Sequence, residues 1–248
     1  RCALQVGKTW LVRDLAQRSS RQLVELNLER DPDYAEHFRD NDPQRVLRNL
    51  EANLNVSLRP ESSLLFLDEI QAAPQLLASL RWFREDLPEL PVIAAGSLLE
   101  FALRDHQFSM PVGRISYCHL EPMSFYEFLE AGGNGKLREV LSDPDQCLRL
   151  PLPLHRKALD LLAVYYLVGG LPEVVECWVG EQDLSAVAAR HRDLLATYRD
   201  DFNKYRDRAS PELLRQVLES VPRQLGTKFV YTQVDADSRH AELKRALE

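Results

Sequence analysis

Two short segments of this sequence carry residue types that could act on a phosphate group. The first is Gln5-Val6-Gly7-Lys8-Thr9, which leads directly into a helical pattern. The N-terminus of a helix presents unbonded backbone N–H groups, and a neighbouring lysine adds positive charge, so this segment is suited to bind phosphate. We expect Lys8 to reach the β and γ phosphates of a nucleotide and the Thr9 hydroxyl to coordinate Mg²⁺.

One position of this segment departs from the full phosphate-loop pattern. That pattern is G-x-x-x-x-G-K-[ST], and its first glycine would fall at position 2, where this chain has Cys2. The first glycine lets the backbone turn tightly into the loop. Taken alone, the tripeptide Gly-Lys-Thr therefore has an alternative interpretation, a chance occurrence in a surface turn.

The second segment is Leu64-Leu65-Phe66-Leu67-Asp68-Glu69, at a distance that fits another strand of the same sheet. Four apolar residues followed by two acids indicate a buried parallel strand whose C-terminal end faces a ligand. We expect Asp68 to hold the magnesium shell and Glu69 to polarise an attacking water, as phosphoryl transfer requires. The alternative is a pair of carboxylates that caps a strand or begins a turn, and the presence of the first segment disfavours it.

Strand and helix patterns alternate around both segments. The predicted elements are a helix over 8–18, a strand over 22–28, a helix over 43–54, a strand over 63–67, a helix over 74–84, a strand over 91–95, a helix over 98–103 and a strand over 115–120. Such alternation predicts an α/β fold of the P-loop type, with a doubly wound parallel sheet. We assign this ATPase-like core to residues 1–131.

The pattern becomes helical after Pro122. Helices are predicted over 124–131, 154–168 and 184–205, and a Gly-rich cluster over 132–135 could act as a hinge. We therefore assign residues 132–209 to a helical lid. The last part, 210–248, contains a helix over 211–225, a short run over 228–232 and a helix from 238 to the end, which suggests a winged-helix module that stops before its wing.

Composition narrows the classes of protein. The chain has 248 residues, of which 45% are apolar and 28% charged, and it contains no apolar run long enough to span a membrane. A formal net charge of -7 argues against attraction of the whole surface to nucleic acid. Its cysteines (Cys2, Cys118, Cys147 and Cys177) are far apart and lack C-x-x-C spacing, which favours reduced thiols and the cytoplasm.

The sequence resembles the bacterial and archaeal AAA+ ATPases that combine an ATPase core and a winged helix with a C-terminal domain of unknown function. The likeness is carried, in the order of that family, by Gln5–Leu11 (QVGKTWL), Phe66–Gln71 (FLDEIQ), Ala94–Glu100 (AAGSLLE), Pro111–Arg114 (PVGR), Pro122–Leu129 (PMSFYEFL) and Gly169–Pro172 (GGLP). The resemblance implies a protein that hydrolyses ATP with Mg²⁺ and couples hydrolysis to movement of the lid. It also implies that the strand preceding the phosphate loop lies before Arg1.

The resemblance assigns roles to further residues. It places Gln5, Val6, Gly7 and Trp10 around the nucleotide together with Lys8 and Thr9. Ser97 matches the position that helps to orient the attacking water, although it could equally cap the following helix, and the two roles are compatible. Asn27 matches a polar residue that can restrain the catalytic glutamate.

The GGLP segment and Arg114 have two interpretations each. Pro172 resembles a proline that packs near the adenine, but two glycines can also simply stop a helix before a proline that begins the next one. Arg114 resembles an arginine finger that one subunit of a homo-oligomer presents to the γ phosphate of its neighbour. Its alternative is a surface arginine paired with an acid.

The C-terminal helix carries Arg239, His240, Lys244 and Arg245, which could face a DNA groove. However, residues 210–248 contain equal numbers of acidic and basic side chains, and this balance is more typical of a module that packs or contacts protein. Two alternatives to an ATPase remain open. One is a nucleotide-dependent switch or scaffold that holds ATP or ADP with little hydrolysis, and the other is a DNA-tethered regulator.

Overall fold

Three parallel β-strands form the sheet of this protein. The computed structural model describes residues 5–96, 113–206, 209–235 and 238–247. The strands are β1 (Gln22–Asn27), β2 (Ser63–Asp68) and β3 (Val92–Ala94), and they lie side by side in the order β1-β2-β3. Every residue of β2 is buried, which is why the sequence of this strand is an almost continuous apolar run.

The register brings the carboxyl ends of the strands to one edge of the sheet. Asn27, the last residue of β1, is aligned with Asp68, the last residue of β2. Beyond the strands, Leu28 donates its N–H to the Asp68 carbonyl at 3.0 Å, and Ile70 donates its N–H to the Ala95 carbonyl at 3.0 Å. Residues that follow the three strands therefore lie close together.

Helices cover both faces of the sheet. They are α1 (Lys8–Arg18), α2 (Pro43–Leu54) and α3 (Leu76–Asp86). Alternate residues of the strands face opposite sides of the sheet and belong to two apolar clusters. On one side, Val24, Leu26, Leu65 and Leu67 pack with Val46 and Leu50 of α2 and with Leu77 and Phe83 of α3. On the other side, Leu64 and Phe66 pack with Val12 of α1. This arrangement confirms the predicted α/β class and the parallel sheet.

The chain divides into two compact units, of which the first comprises residues 1–175. Five more of the described helices lie in this unit or begin in it. They are α4 (Phe125–Ala131), α5 (Gly135–Ser142), α6 (Pro144–Leu148), α7 (Leu152–Val168) and α8 (Pro172–Glu181). Helix α4 begins with a capping box, in which Ser124 accepts from the Glu127 N–H and the Glu127 carboxylate accepts from the Ser124 N–H. The predicted helices over 124–131 and 154–168 are confirmed, whereas α5 and α6 were not predicted.

The predicted strand over 115–120 is wrong. Residues 115–119 have no regular structure, and Leu120 forms only an isolated bridge. The side chains of residues 116–119 are exposed, so this run has no buried face of the kind that a strand in a sheet would have. The predicted helix over 98–103 lies outside the described residues.

The second compact unit comprises residues 176–248 and is helical where the structure describes it. Its helices are α9 (Leu184–Asp201), α10 (Pro211–Ser220) and α11 (His240–Leu247), and Leu213 and Val217 of α10 pack against Leu243 of α11. The predicted order of helix, link and helix is present, and the winged-helix assignment and the domain boundaries at 131 and 209 remain predictions. None of the described helices is both long and apolar enough to cross a membrane.

Candidate functional site

Gly7 turns the backbone into the N-terminus of α1. Gly7 is the residue before the helix and has φ 84° and ψ 25°, a left-handed conformation that glycine adopts without strain. In the described chain, no side chain caps this end of α1, and its first turn contains no acidic residue. The first N–H groups of the helix therefore point towards a position where negative charge is favourable. Val6 is buried beside this turn, and Gln5 is exposed.

A hydrogen bond joins the two predicted motifs. The Thr9 hydroxyl, in the first turn of α1, donates to Asp68 Oδ2 at 3.2 Å, across 59 positions of sequence. The other carboxylate oxygen, Oδ1, accepts the Glu69 N–H at 3.1 Å. Thr9 and Asp68, predicted separately as magnesium ligands, therefore lie in contact.

Asp68 is only 4% exposed. Burial, and secondarily the negative charge of Glu69, raises the pKa of the Asp68 carboxyl above its ordinary value, while the hydrogen bonds from Thr9 and from the Glu69 backbone act in the opposite direction. A carboxylate held at such a site is stabilised by a cation placed next to it. This electrostatic environment suits a divalent metal ion.

The Arg13–Glu25 pair, which was not predicted, fixes α1 against β1. The Arg13 guanidinium donates from Nε to Glu25 Oε2 at 2.9 Å and from Nη2 to Oε1 at 2.8 Å. Two parallel hydrogen bonds define an orientation more sharply than one. The pair is an oriented contact between α1 and β1 at a largely exposed position, and it adds to the packing of Val12 against Leu64 and Phe66.

Among the described residues, the side chain that hydrogen-bonds to the Glu69 carboxylate is that of Gln71. Gln71 Nε2 donates to Glu69 Oε2 at 2.5 Å. Asn27 lies opposite Asp68, but its side-chain oxygen accepts the Arg30 N–H at 2.8 Å and so stabilises the turn after β1. The role predicted for Asn27 has no supporting contact among the described residues.

Pro172 lies next to Gly7. A methyl group on Gly7 would be 3.8 Å from Pro172 Cγ. The segment containing Pro172 is held by Gly170, whose carbonyl accepts the Met123 N–H at 2.6 Å, and the Tyr165 hydroxyl donates to the Met123 carbonyl at 2.7 Å. Pro172 is also the first residue of α8, so both interpretations of this proline are compatible with the structure.

The remaining predicted site residues lie in different settings. Lys8 is half-buried at the start of α1, and Trp10 is 66% exposed on the same helix. Arg114 is 45% exposed and its Nε donates to Glu85 Oε1 at 3.1 Å, which is the surface ion pair considered as its alternative. Ser97 and Cys2 lie outside the described residues.

Two family matches divide the sequence between them. Residues 3–129, just over half of the chain, match the family model of an AAA domain. Residues 159–248 match a domain of unknown function (DUF8612). No curated protein and no solved structure matches the chain. The AAA match includes both predicted motifs and all three strands of the sheet.

Proposed function

The chain belongs to the AAA domain family, and from this premise we propose that it is an ATPase that uses Mg²⁺ to hydrolyse ATP. The observation that carries the proposal is the hydrogen bond between Thr9 and Asp68 at the N-terminus of α1. It joins the end of the phosphate-binding segment to the acidic end of β2. Residues suited to phosphate and residues suited to magnesium are thus adjacent, as a nucleoside triphosphate requires.

The phosphates of ATP would lie against Gly7, Lys8 and the first N–H groups of α1. The absence of an acid from the first turn supports this, because a carboxylate there would compete with the ligand for the positive end of the helix. The lysine ammonium would interact with the β and γ phosphates. Pro172, beside Gly7, would pack near the adenine.

Thr9 and Asp68 would hold the magnesium ion. Mg²⁺ usually binds through one or two carboxylates, several waters and the phosphates of its substrate, and it does not need an all-protein cage. One hydroxyl and one buried carboxylate fit this requirement. When bound, the ion neutralises charge on the phosphates.

Glu69 would act as the general base. The attacking water transfers a proton to the Glu69 carboxylate, a bond forms between the water oxygen and the γ phosphorus, and the bond from that phosphorus to the oxygen of ADP breaks. The products are ADP and phosphate. Release of the γ phosphate would alter contacts near Gly7 and Pro172, and this change would couple hydrolysis to movement of the helical part of the protein.

Loss of the base tests the reaction. Glu69→Gln should retain ATP binding and slow phosphate release by about a hundredfold or more, because a positioned general base contributes on that scale. Phosphate release and equilibrium ATP binding would be measured on the same samples. Turnover of Glu69→Gln at the parent rate would reassign Glu69 to a structural role.

A nucleotide-dependent switch with little hydrolysis is the second candidate. Cys2 at the first glycine of the loop pattern favours it, since a side chain there opposes a tight turn. In that case ATP and ADP would bind, and the parent chain would release phosphate no faster than ATP does without protein. The third candidate, a DNA-tethered regulator, requires a salt-dependent mobility shift with duplex DNA.

A further inference from the structure

The side chain of Gln71 connects Glu69 to the backbone that follows β3. Gln71 lies in a single 3₁₀ turn, Ile70–Ala72, immediately after Glu69. Its Nε2 donates to Glu69 Oε2 at 2.5 Å. Its other amide atom, Oε1, faces Gly96, because a Cβ built on Gly96 would overlap that oxygen.

From this geometry we propose that Gln71 is the positioning residue for the catalytic base. Its amide holds one oxygen of the Glu69 carboxylate, and the second carboxylate oxygen is left to accept the proton of the attacking water. This inference rests on the proposed ATPase function. It extends that function by assigning a residue that acts on the reaction only through Glu69.

The turn does not need the Gln71 amide for its own stability. Its backbone is held by the bond from the Ile70 N–H to the Ala95 carbonyl and by the bond from the Ala73 N–H to the Ile70 carbonyl, both at 3.0 Å. Gln71 Oε1, moreover, is a buried oxygen that has no hydrogen-bond partner in the part of the chain that the structure describes. A buried polar atom without a partner opposes folding. An apolar side chain of the same size would serve packing better, and the contact with Glu69 is the role that the described residues give to the amide.

The backbone of Glu69 gives a second reason for such a contact. Glu69 has φ 52°, a left-handed conformation that is uncommon for residues with a side chain and that recurs at functional sites. This conformation ends the extended backbone of β2 at Asp68, so the alternation of the strand no longer sets the direction of the Glu69 side chain. Asn27 Oδ1 accepts the Arg30 N–H, and the described side-chain contact with the Glu69 carboxylate comes from Gln71. Gln71 is then the side chain that fixes the orientation of the base.

Gln71→Met is the direct test, because methionine retains the approximate length of the side chain and removes both the donor and the unpaired oxygen. We expect kcat for ATP hydrolysis to fall by about 10- to 100-fold, since a base displaced by about an ångström loses activity on that scale. The dissociation constant for ATP should stay the same, and the urea midpoint should be unchanged or higher. Gln75→Met is the matched control, because it makes the same chemical change at an exposed position of the same segment and should alter none of these quantities.

Two further variants separate positioning from packing. Gly96→Ala moves the Gln71 amide while leaving Gln71 itself in place, and it should lower kcat with ATP affinity retained. In a Glu69→Gln background, Gln71→Met should have no additional effect, because a residue that acts through Glu69 has nothing left to orient.

The outcomes distinguish this inference from the proposed function. A parent chain without magnesium-dependent turnover overturns both. An active parent with an unchanged kcat in Gln71→Met overturns the inference alone. The inference also fails if kcat, ATP affinity and the urea midpoint all fall together, or if Gln71→Met lowers kcat equally in the Glu69→Gln background.

Discussion

Replacing Gly170 by alanine should separate two segments that are in close contact. A Cβ on Gly170 would overlap the carbonyl oxygen of Met123 and lie 3.0 Å from its backbone nitrogen. Both atoms belong to the main chain, so rotation of a side chain cannot relieve the overlap. Met123 or Gly170 must therefore move.

The energetic cost follows from the contacts that this movement disturbs. The Met123 N–H donates to the Gly170 carbonyl, and the Tyr165 hydroxyl donates to the Met123 carbonyl. Each such hydrogen bond contributes about 1 kcal/mol net, and forcing extra volume into a packed site costs about 1 to 3 kcal/mol. We expect Gly170→Ala to lower the free energy of unfolding by about 2 to 4 kcal/mol, allowing for partial relaxation of the site.

Urea unfolding followed by circular dichroism would measure this change. Gly135→Ala is the matched control, because Gly135 is the first residue of α5 and a Cβ there meets no other atom within 4 Å. Alanine favours a helix, so the control should be as stable as the parent or slightly more stable. Under conditions where Gly170→Ala is folded, its affinity for ATP should also be lower, since Pro172 would shift relative to Gly7. Equal midpoints for Gly170→Ala and Gly135→Ala would refute the reasoning.

Two more predictions concern Asp68 and Arg114. The pKa of the Asp68 carboxyl is raised in the folded chain, so the folded state binds the carboxyl proton more strongly than the unfolded state does. The folded state therefore loses stability as pH rises through the interval between the ordinary and the raised pKa. Asp68→Asn should therefore be more stable than the parent at neutral pH without Mg²⁺. The difference between the two urea midpoints should shrink as pH approaches the ordinary carboxyl pKa of about 4. A lower midpoint for the variant at neutral pH would contradict this prediction. Arg114→Ala should lose most turnover with ATP affinity retained, and mixing it with Lys8→Ala should restore some activity, because one chain supplies the finger and the other an intact loop. If the two variants fold and co-assemble but activity does not recover, the arginine-finger role is wrong and Arg114 retains its exposed ion pair with Glu85.

The three strands of the sheet could be predicted from local sequence, and the closeness of Thr9 and Asp68 follows from assigning both as ligands of one magnesium ion. A continuous apolar run ending in acids specifies β2 almost independently of its surroundings. The strand over 115–120 failed for the opposite reason. A short run of this kind forms a strand only if a neighbouring strand pairs with it, and the run itself contains no information about that neighbour.

The details of the site depend on side-chain directions that spacing does not encode. Gln71 occurs in the FLDEIQ segment, yet its contact with Glu69 follows from the left-handed backbone of Glu69 and from the small residue at Gly96. Asn27 was assigned to Glu69 by its position at a strand end. The structure instead brings Arg30 to its side-chain oxygen, through a turn that the sequence alone left undefined.

The central claim, that the N-terminus of α1 binds the phosphates of ATP, is tested most directly by equilibrium binding of labelled ATP in the presence of Mg²⁺. Lys8→Ala should raise the dissociation constant by about tenfold or more, because a charge-assisted contact with phosphate is lost. Lys136→Ala removes an exposed lysine that pairs with Glu139, and it should bind ATP as the parent does. Equal dissociation constants for the parent, Lys8→Ala and Lys136→Ala would contradict the assignment of this site.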